Sequence, residues 1–291
     1  MAATVGVIGL GNMGSAFAAN LLDAGFAVRG YDVDEAMRHR LTERGGVAAA
    51  SVRELSAEAE VVITSLPGAG PLLETVAGLA PSGGRPVVEM STLALDTKLE
   101  AREIAARAGA VLLDSTVSGT GAQAVTRDLA VYASGDRTAY ETAVPVLDAI
   151  ARSHRYVGEF GTGTKLKFIA NLLVSMHNVA AAEAVLLARK AGLDLGLVLD
   201  AITDGAGTSR MLEVRGPMMA EGRWREATAS MSMFKKDLEL IGDFAASVDC
   251  PLPLFASARQ VYAAGMAQGR GDEDAAAVFA VLARAAALDV D

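Results

Sequence analysis

A short apolar run, Thr4-Val5-Gly6-Val7-Ile8, stops at Gly9-Leu10-Gly11-Asn12-Met13-Gly14, and residues 15–24 then carry apolar side chains at helical spacing. A strand that turns through G-x-G-x-x-G into a helix restricts the fold more than any other stretch of the chain, because each glycine answers a separate steric demand. Gly9 makes the tight turn, Gly11 lets the backbone come close to a pyrophosphate, and Gly14 lets the helix pack on the strand. The free N–H groups at the start of that helix, around Asn12 and Met13, favour the phosphates. A second strand, residues 27–31, ends in Asp32, about 20 residues on, where a carboxylate binds the ribose hydroxyls of an adenosine. The motif and its context predict a dinucleotide-binding turn.

Asp32 is followed by Val33, Asp34 and Glu35, and this concentration of negative charge predicts NAD in preference to NADP. Arg29 and Arg38 are the cations that could instead receive a 2′-phosphate. Strand-like runs continue at residues 61–66, 86–90, 110–114 and 129–134, separated by helical segments. Apolar strands alternating with helices predict an α/β fold, a doubly wound, mostly parallel Rossmann sheet. Ligands in such sheets lie beyond the carboxyl ends of the strands, so Leu66, Pro67, Ser91, Thr92 and residues 114–121 are expected to face one crevice. After Gly163 the strand signals stop. The remainder reads as helical, with breaks at Gly192, 205–207, Gly216-Pro217 and 251–253, giving a dinucleotide-binding domain over 1–161 and an all-helical C-terminal domain over 162–291.

Composition narrows the partners. With 291 residues, 52% hydrophobic and 21% charged, the chain is globular and long enough for two domains. A net charge of −9 without a basic stripe argues against nucleic acid and against an anionic membrane surface. Cys250 is the single cysteine, which suits a reducing compartment and reads as a structural thiol. No Lys or Arg precedes Arg29, so residues 5–10 do not read as the core of a signal peptide, and the apolar runs are interrupted before they reach the length of a bilayer span. A cytoplasmic protein is expected.

The second informative stretch is Gly161-Thr162-Gly163-Thr164-Lys165-Leu166-Lys167, continuing to Asn178. At about 100° per residue, Asn171, Ser175 and Asn178 fall roughly 40°, 80° and 20° from Lys167, so one narrow polar stripe runs along a greasy helix. A lysine buried among leucines loses several kcal/mol of hydration unless a partner supplies charge and hydrogen bonds. No acidic residue lies within helical reach of it. The stripe suits an anionic, hydroxylated small molecule, the other reading being a lysine that snorkels to solvent along its stem.

Taken together, Gly9 to Gly14 with Asn20-Leu21, then Asp114-Ser115-Thr116-Val117-Ser118-Gly119, then Gly161 to Lys167 with Asn171, then Lys236-Asp237, resemble the four signatures of the β-hydroxyacid dehydrogenases. The match spans nearly the whole chain. The resemblance implies that Ser118 and the backbone at Gly119 bind the substrate carboxylate, that Lys167 is the catalytic lysine supported by Asn171, and that Lys236 approaches the nicotinamide end of the cofactor. Leu66, Pro67 and Thr92 would line the cofactor cleft. A homo-oligomer, dimer or tetramer, is expected. Two positions depart from the pattern: Thr116 replaces the usual proline, read here as relaxing a turn, and Ala170 replaces a frequent second asparagine, leaving the exact substrate open.

Such a chain would oxidise an alcohol by moving hydride to the nicotinamide while Lys167 takes the hydroxyl proton, with burial lowering its pKa and Asn171 holding it in line. Thr120 and Gln123 beside the carboxylate site, and Thr208-Ser209-Arg210 in the second domain, predict a small 3-hydroxy acid carrying further hydroxyls, of the threonate or glycerate kind. Arg210 equally suits a pair with Glu213 on its own helix. His39, His154 and His177 are scattered and no metal site is expected. Ser118 lacks the G-x-S-x-G context of a serine hydrolase, and Met231 to Phe234 reads as core. Imine or carbonyl reduction on the same fold, and cofactor binding without catalysis, remain the alternative functions.

Overall fold

The computed structural model describes residues 3–290. Among them, β1 (Thr4–Ile8), β2 (Ala27–Tyr31), β3 (Val47–Ala48), β4 (Val61–Thr64), β5 (Pro86–Glu89), β6 (Val111–Ser118), β7 (Ala130–Ser134) and β8 (Ser153–Tyr156) form one sheet in the order β3-β2-β1-β4-β5-β6-β7-β8. All neighbours are parallel except β6 and β7. The intervening helices are α1 (Asn12–Asp23), α2 (Glu35–Glu43), α3 (Val52–Glu58), α4 (Ala69–Ala77), α5 (Leu95–Arg107), α6 (Gly121–Val125) and α7 (Arg137–Ile150). The sheet is α/β and doubly wound, as the alternation of patterns predicts. β1, β4 and β5 are mostly apolar, with Thr64 and Glu89 as buried polar residues at the ends of β4 and β5, because helices cover both faces: Phe17, Leu21 and Leu147 pack on one side, Leu55, Leu72 and Ala105 on the other.

The second part of the chain is helical: α8 (Thr162–Lys190), α9 (Leu195–Thr203), α10 (Arg210–Glu221), α11 (Met231–Ser247), α12 (Pro253–Ala267), a 3₁₀ turn (Ala275–Ala277) and α13 (Val278–Ala285). Its core gathers Phe168, Trp224, Leu238, Tyr262 and Phe279. The chain divides into two compact units after Lys167, six residues beyond the expected boundary.

Two strands lie outside the sequence reading, and two local expectations are corrected. The strands β3 and β8 carry no apolar run, the first being two residues long and the second reading Ser153-His154-Arg155-Tyr156 on the sheet edge. Gly216-Pro217 does not break a helix; α10 passes through both. A Cβ on Gly216 would stand 2.7 Å from Leu199 Cδ2, so this glycine serves the approach of α9 to α10, and tertiary packing overrides propensity. Thr116 lies inside β6, with no turn to relax. Its Oγ1 donates to Gly163 O at 2.8 Å.

α8 is long and apolar enough to cross a membrane by length and composition, with a mean hydropathy of 1.4 over its most apolar window. The sequence reading took that run as interrupted. Its buried Ser175 and Asn178 are satisfied by Leu172 O and by Tyr262 respectively, and 39% of that window is buried.

Candidate active site

The glycine turn shows which of its residues are constrained by the protein itself. Gly9 has φ +86°, and a Cβ there would fall 2.2 Å from Ser65 O; at Gly14 it would fall 1.8 Å from Gly9 O. At Gly11 a Cβ would meet nothing within 4 Å, so no packing inside the chain demands a glycine there. The open space above Gly11, beside a helix start with no side-chain cap and no acidic residue in its first turn, is what a pyrophosphate needs. Asn12 is exposed and Met13 half-buried at that helix start.

At the end of β2, Asp32 is fixed by its own carboxylate: Oδ2 accepts from Leu10 N at 2.6 Å and Oδ1 from Asp34 N at 2.9 Å. Arg29 is tied to Glu54 and Glu58 at 2.7 and 2.8 Å. Arg38 instead donates to the carbonyl oxygens of Asp32 and Val33, leaving its guanidinium at the strand end. Along the same carboxyl edge of the sheet, Leu66 N donates to Ser91 Oγ at 2.8 Å, Pro67 is exposed and Thr92 half-buried.

β6 ends at Ser118, which is half-buried, and Gly119 follows with φ +137°, where a Cβ would strike Leu129. Thr120 caps α6 in a reciprocal capping box with Gln123, whose Nε2 donates to Asp128 at 3.1 Å. These two side chains, singled out for substrate hydroxyls, thus have local partners. Asp114, expected at the crevice, sits four residues before the strand end with no exposure.

Lys167, in the second turn of α8, is 9% exposed. One turn on, Asn171 Nδ2 donates to Asp237 Oδ2 at 2.7 Å. Lys236, beside that aspartate, is exposed, 3.7 Å from Asp237 Oδ1. Asn178 belongs to another assembly, donating to Tyr262 and accepting from Arg215. Arg210 is paired with Glu213 at 3.0 Å and its side chain is 73% exposed. Cys250 is exposed, and Met231 is core while Met233 is exposed.

Sequence reasoning missed Lys98, Glu89 and their link to Asp114. A signal existed: Glu89 interrupts the apolar strand Pro86-Val87-Val88 and Asp114 closes another, and two carboxylates inside a doubly covered sheet require a cation.

A doubly wound, mostly parallel sheet that turns through glycines into its first helix, followed by an all-helical unit, is an architecture of the dinucleotide-binding class. Residues 4–158 match the NAD binding domain of 6-phosphogluconate dehydrogenase, and residues 161–282 match the family described as NAD-binding of NADP-dependent 3-hydroxyisobutyrate dehydrogenase. The chain belongs to the β-hydroxyacid dehydrogenase family. It is 35% identical to an L-threonate dehydrogenase of Cupriavidus necator over 97% of this chain and 96% of that one. It is 32% identical to a 2-(hydroxymethyl)glutarate dehydrogenase of Eubacterium barkeri, covering 95% and 94%. Among solved structures, a 3-hydroxyisobutyrate dehydrogenase of Mycobacterium tuberculosis with L-serine superposes with a TM-score of 0.88 at 30% identity, covering 97% and 99%. The chain is accordingly an NAD(P)-dependent hydroxyacid oxidoreductase.

Proposed function

We propose that this enzyme oxidises a small, hydroxylated 3-hydroxy acid of the threonate kind with NAD, using Lys167 as general acid/base. The observation that carries the reading is Lys167 itself, a nearly buried lysine in the second turn of α8, followed one turn later by an asparagine anchored on Asp237. The bound nicotinamide supplies the hydride acceptor. Gly9, Gly11, Asn12, Met13 and Gly14 would hold its pyrophosphate and Asp32 its adenosine ribose, with Leu66, Pro67, Thr92 and Lys236 along the rest of the molecule. Ser118 and Gly119 would take the substrate carboxylate. Lys167 would receive the hydroxyl proton in oxidation and return it in reduction, and Asn171 would keep the amine in line.

Asp32 supports NAD because a 2′-phosphate would face an unpaired like charge there, while Arg29 is already neutralised by two glutamates. The placement of Arg38 favours a second reading, NADP use, since its guanidinium lies at the end of the same strand. For the substrate, polar pockets discriminate sharply, because an analogue without the expected hydroxyl leaves a buried group unpaired at about 1 to 3 kcal/mol. Thr120 and Arg210 would contribute only by exchanging their present partners. A screen of threonate, glycerate and 3-hydroxyisobutyrate with each cofactor, following the reduced nicotinamide, tests both choices. Higher efficiency with NAD and with the hydroxylated acids is expected. Better turnover with NADP that is lost in Arg38→Ala would reverse the cofactor assignment, and preference for 3-hydroxyisobutyrate would remove the polar-pocket reading.

The reading takes the protein to be cytoplasmic, in keeping with its single cysteine, and to assemble with copies of itself. Ile169, Leu173 and Leu187 of α8 and Leu197 of α9 are 53%, 44%, 72% and 68% exposed, more large apolar surface than one helical unit needs to leave in water. Light scattering is expected to return a dimer or larger. A monomeric mass at micromolar concentration would remove the oligomer from the proposal.

A further inference from the structure

Inside the sheet unit lies a charged cluster that the proposed chemistry does not use. Lys98, on α5, has a side chain with no exposure, and its Nζ stands 2.6 Å from Glu89 Oε2 and 2.7 Å from Asp114 Oδ1. Both carboxylates are equally buried. Taking three charges out of water costs several kcal/mol per ion, so such a cluster persists only where the remaining bonds are made. They are made at both ends. Glu89 Oε1 accepts from Ser91 N at 2.9 Å, and Ser91 Oγ in turn receives Leu66 N. Asp114 Oδ2 accepts from Thr164 N at 2.7 Å and Oδ1 from Thr164 Oγ1 at 2.8 Å, with Ser134 Oγ at 3.3 Å from Oδ2.

One end of the bridge therefore fixes the backbone beside the cofactor-side strand ends. The other fixes the first turn of α8, three residues before Lys167. A carboxylate facing helical N–H groups is favoured by the dipole and by charge-assisted bonds, but only while it remains ionised. Burial pulls the Lys98 ammonium down and the two carboxylates outweigh it, so the lysine is held above its ordinary value and stays charged. Without that ammonium, two fully buried carboxylates would be left with no cation between them and would repel each other. Pushed apart, they weaken the hold of Asp114 on Thr164.

We propose that Lys98 is a positioning residue for the acid/base lysine: through Asp114 it holds the amino end of α8, and with it Lys167, in register with the strand ends that carry Leu66 and Ser91. The inference rests on the reading of Lys167 as the acid/base. A misplacement of about 1 Å at a reacting group can cost on the order of a hundredfold in rate, so a bond three residues away is within reach of catalysis.

The test compares Lys98→Met, Lys98→Met/Glu89→Gln, Thr164→Val and Lys167→Met in the full-length protein. Four quantities are read: kcat, KM for the hydroxy acid, cofactor Kd by fluorescence quenching, and amide exchange at residues 164–167. In Lys98→Met, kcat is expected to fall about tenfold or more with cofactor Kd within about twofold of the parent, and exchange at residues 164–167 to rise. Removing the second carboxylate in Lys98→Met/Glu89→Gln relieves that repulsion and should restore most of kcat. Thr164→Val, which cuts the bridge only at its helix end, should lower kcat in the same direction. A folded Lys98→Met with parental kcat and exchange overturns the proposal, as does a loss that the Glu89 substitution does not relieve. Should Lys98→Met fail to fold, an unchanged kcat in Thr164→Val overturns it instead. Lys167→Met separates the two ideas. An inactive Lys167→Met beside a fully active Lys98→Met removes the positioning role alone, whereas an active Lys167→Met removes the acid/base reading and the positioning role with it.

Discussion

Lys167→Met is expected to lose on the order of a hundredfold or more in turnover while binding the dinucleotide as before. Methionine keeps the length and the helix preference of the lysine stem, so the packing of α8 around a position only 9% exposed survives the change. What disappears is the group proposed to accept and return the hydroxyl proton. The glycine turn from Gly9 to Gly14 belongs to other elements and keeps its geometry. Asn171→Ala should cost less, because it removes alignment and leaves the base in place. Steady-state kinetics with the best hydroxy acid, beside cofactor titration, decides the matter: a Lys167→Met protein that retains most of its turnover returns the lysine to a structural role.

The second large effect concerns stability. Asp274→Ala is expected to destabilise the helical unit by about 3 to 5 kcal/mol, since it strands a buried guanidinium. Asp274 accepts from Arg215 Nε at 2.8 Å, from Thr228 N and Oγ1 at 2.9 and 2.8 Å, from Ala229 N at 3.1 Å and from Ala276 N at 2.9 Å. Arg215 is 4% exposed and reaches Asn178 as well, so one carboxylate satisfies donors from α10, from the loop at Thr228 and Ala229, and from the 3₁₀ turn. Burial pushes this carboxyl up, yet Arg215 and the converging donors outweigh it and hold its pKa below the ordinary 3.8. The sign follows: the stabilisation is complete above the unfolded value of 3.8 and is lost as pH falls through the lower folded value. Urea melts should show the full difference between parent and variant at pH 7 and a shrinking one in strong acid. A variant within about 1 kcal/mol of the parent at pH 7 contradicts the network's importance.

What could be read from the residues was whatever is local. The turn from β1 into α1, the carboxylate of Asp32 and the long helix bearing Lys167 each announce themselves within a few dozen residues, since glycine spacing and apolar period are properties of short windows. The class of enzyme came from the resemblance of these motifs, together with residues 114–119 and Lys236-Asp237, to a known family. The misses are long-range. Lys98 occupies a helix, Leu95–Arg107, rich in charge, where a lysine reads as surface, and its partners lie on two different strands. Arg215 and Asp274 are 59 residues apart, and neither carries a local mark. Gly216-Pro217 looked like punctuation because propensity knows nothing of Leu199 arriving from α9. β8, a polar edge strand, has no apolar pattern to find.

The bond between Asp114 and Thr164 spans 50 residues of chain, and this separation has a bearing on synthesis. A nascent polypeptide emerging from the ribosome can pair β1 with β2, then with β4, and can lay β5 and β6 beside them in the order in which they are made. At that stage the carboxylate of Asp114 is already between strands, with Lys98 beside it but without the helix start it faces in the finished sheet. The sheet unit therefore closes its polar interior only once residue 164 has left the exit tunnel, so α8, whose chain goes on to open the second half, also supplies the last hydrogen bonds of the first.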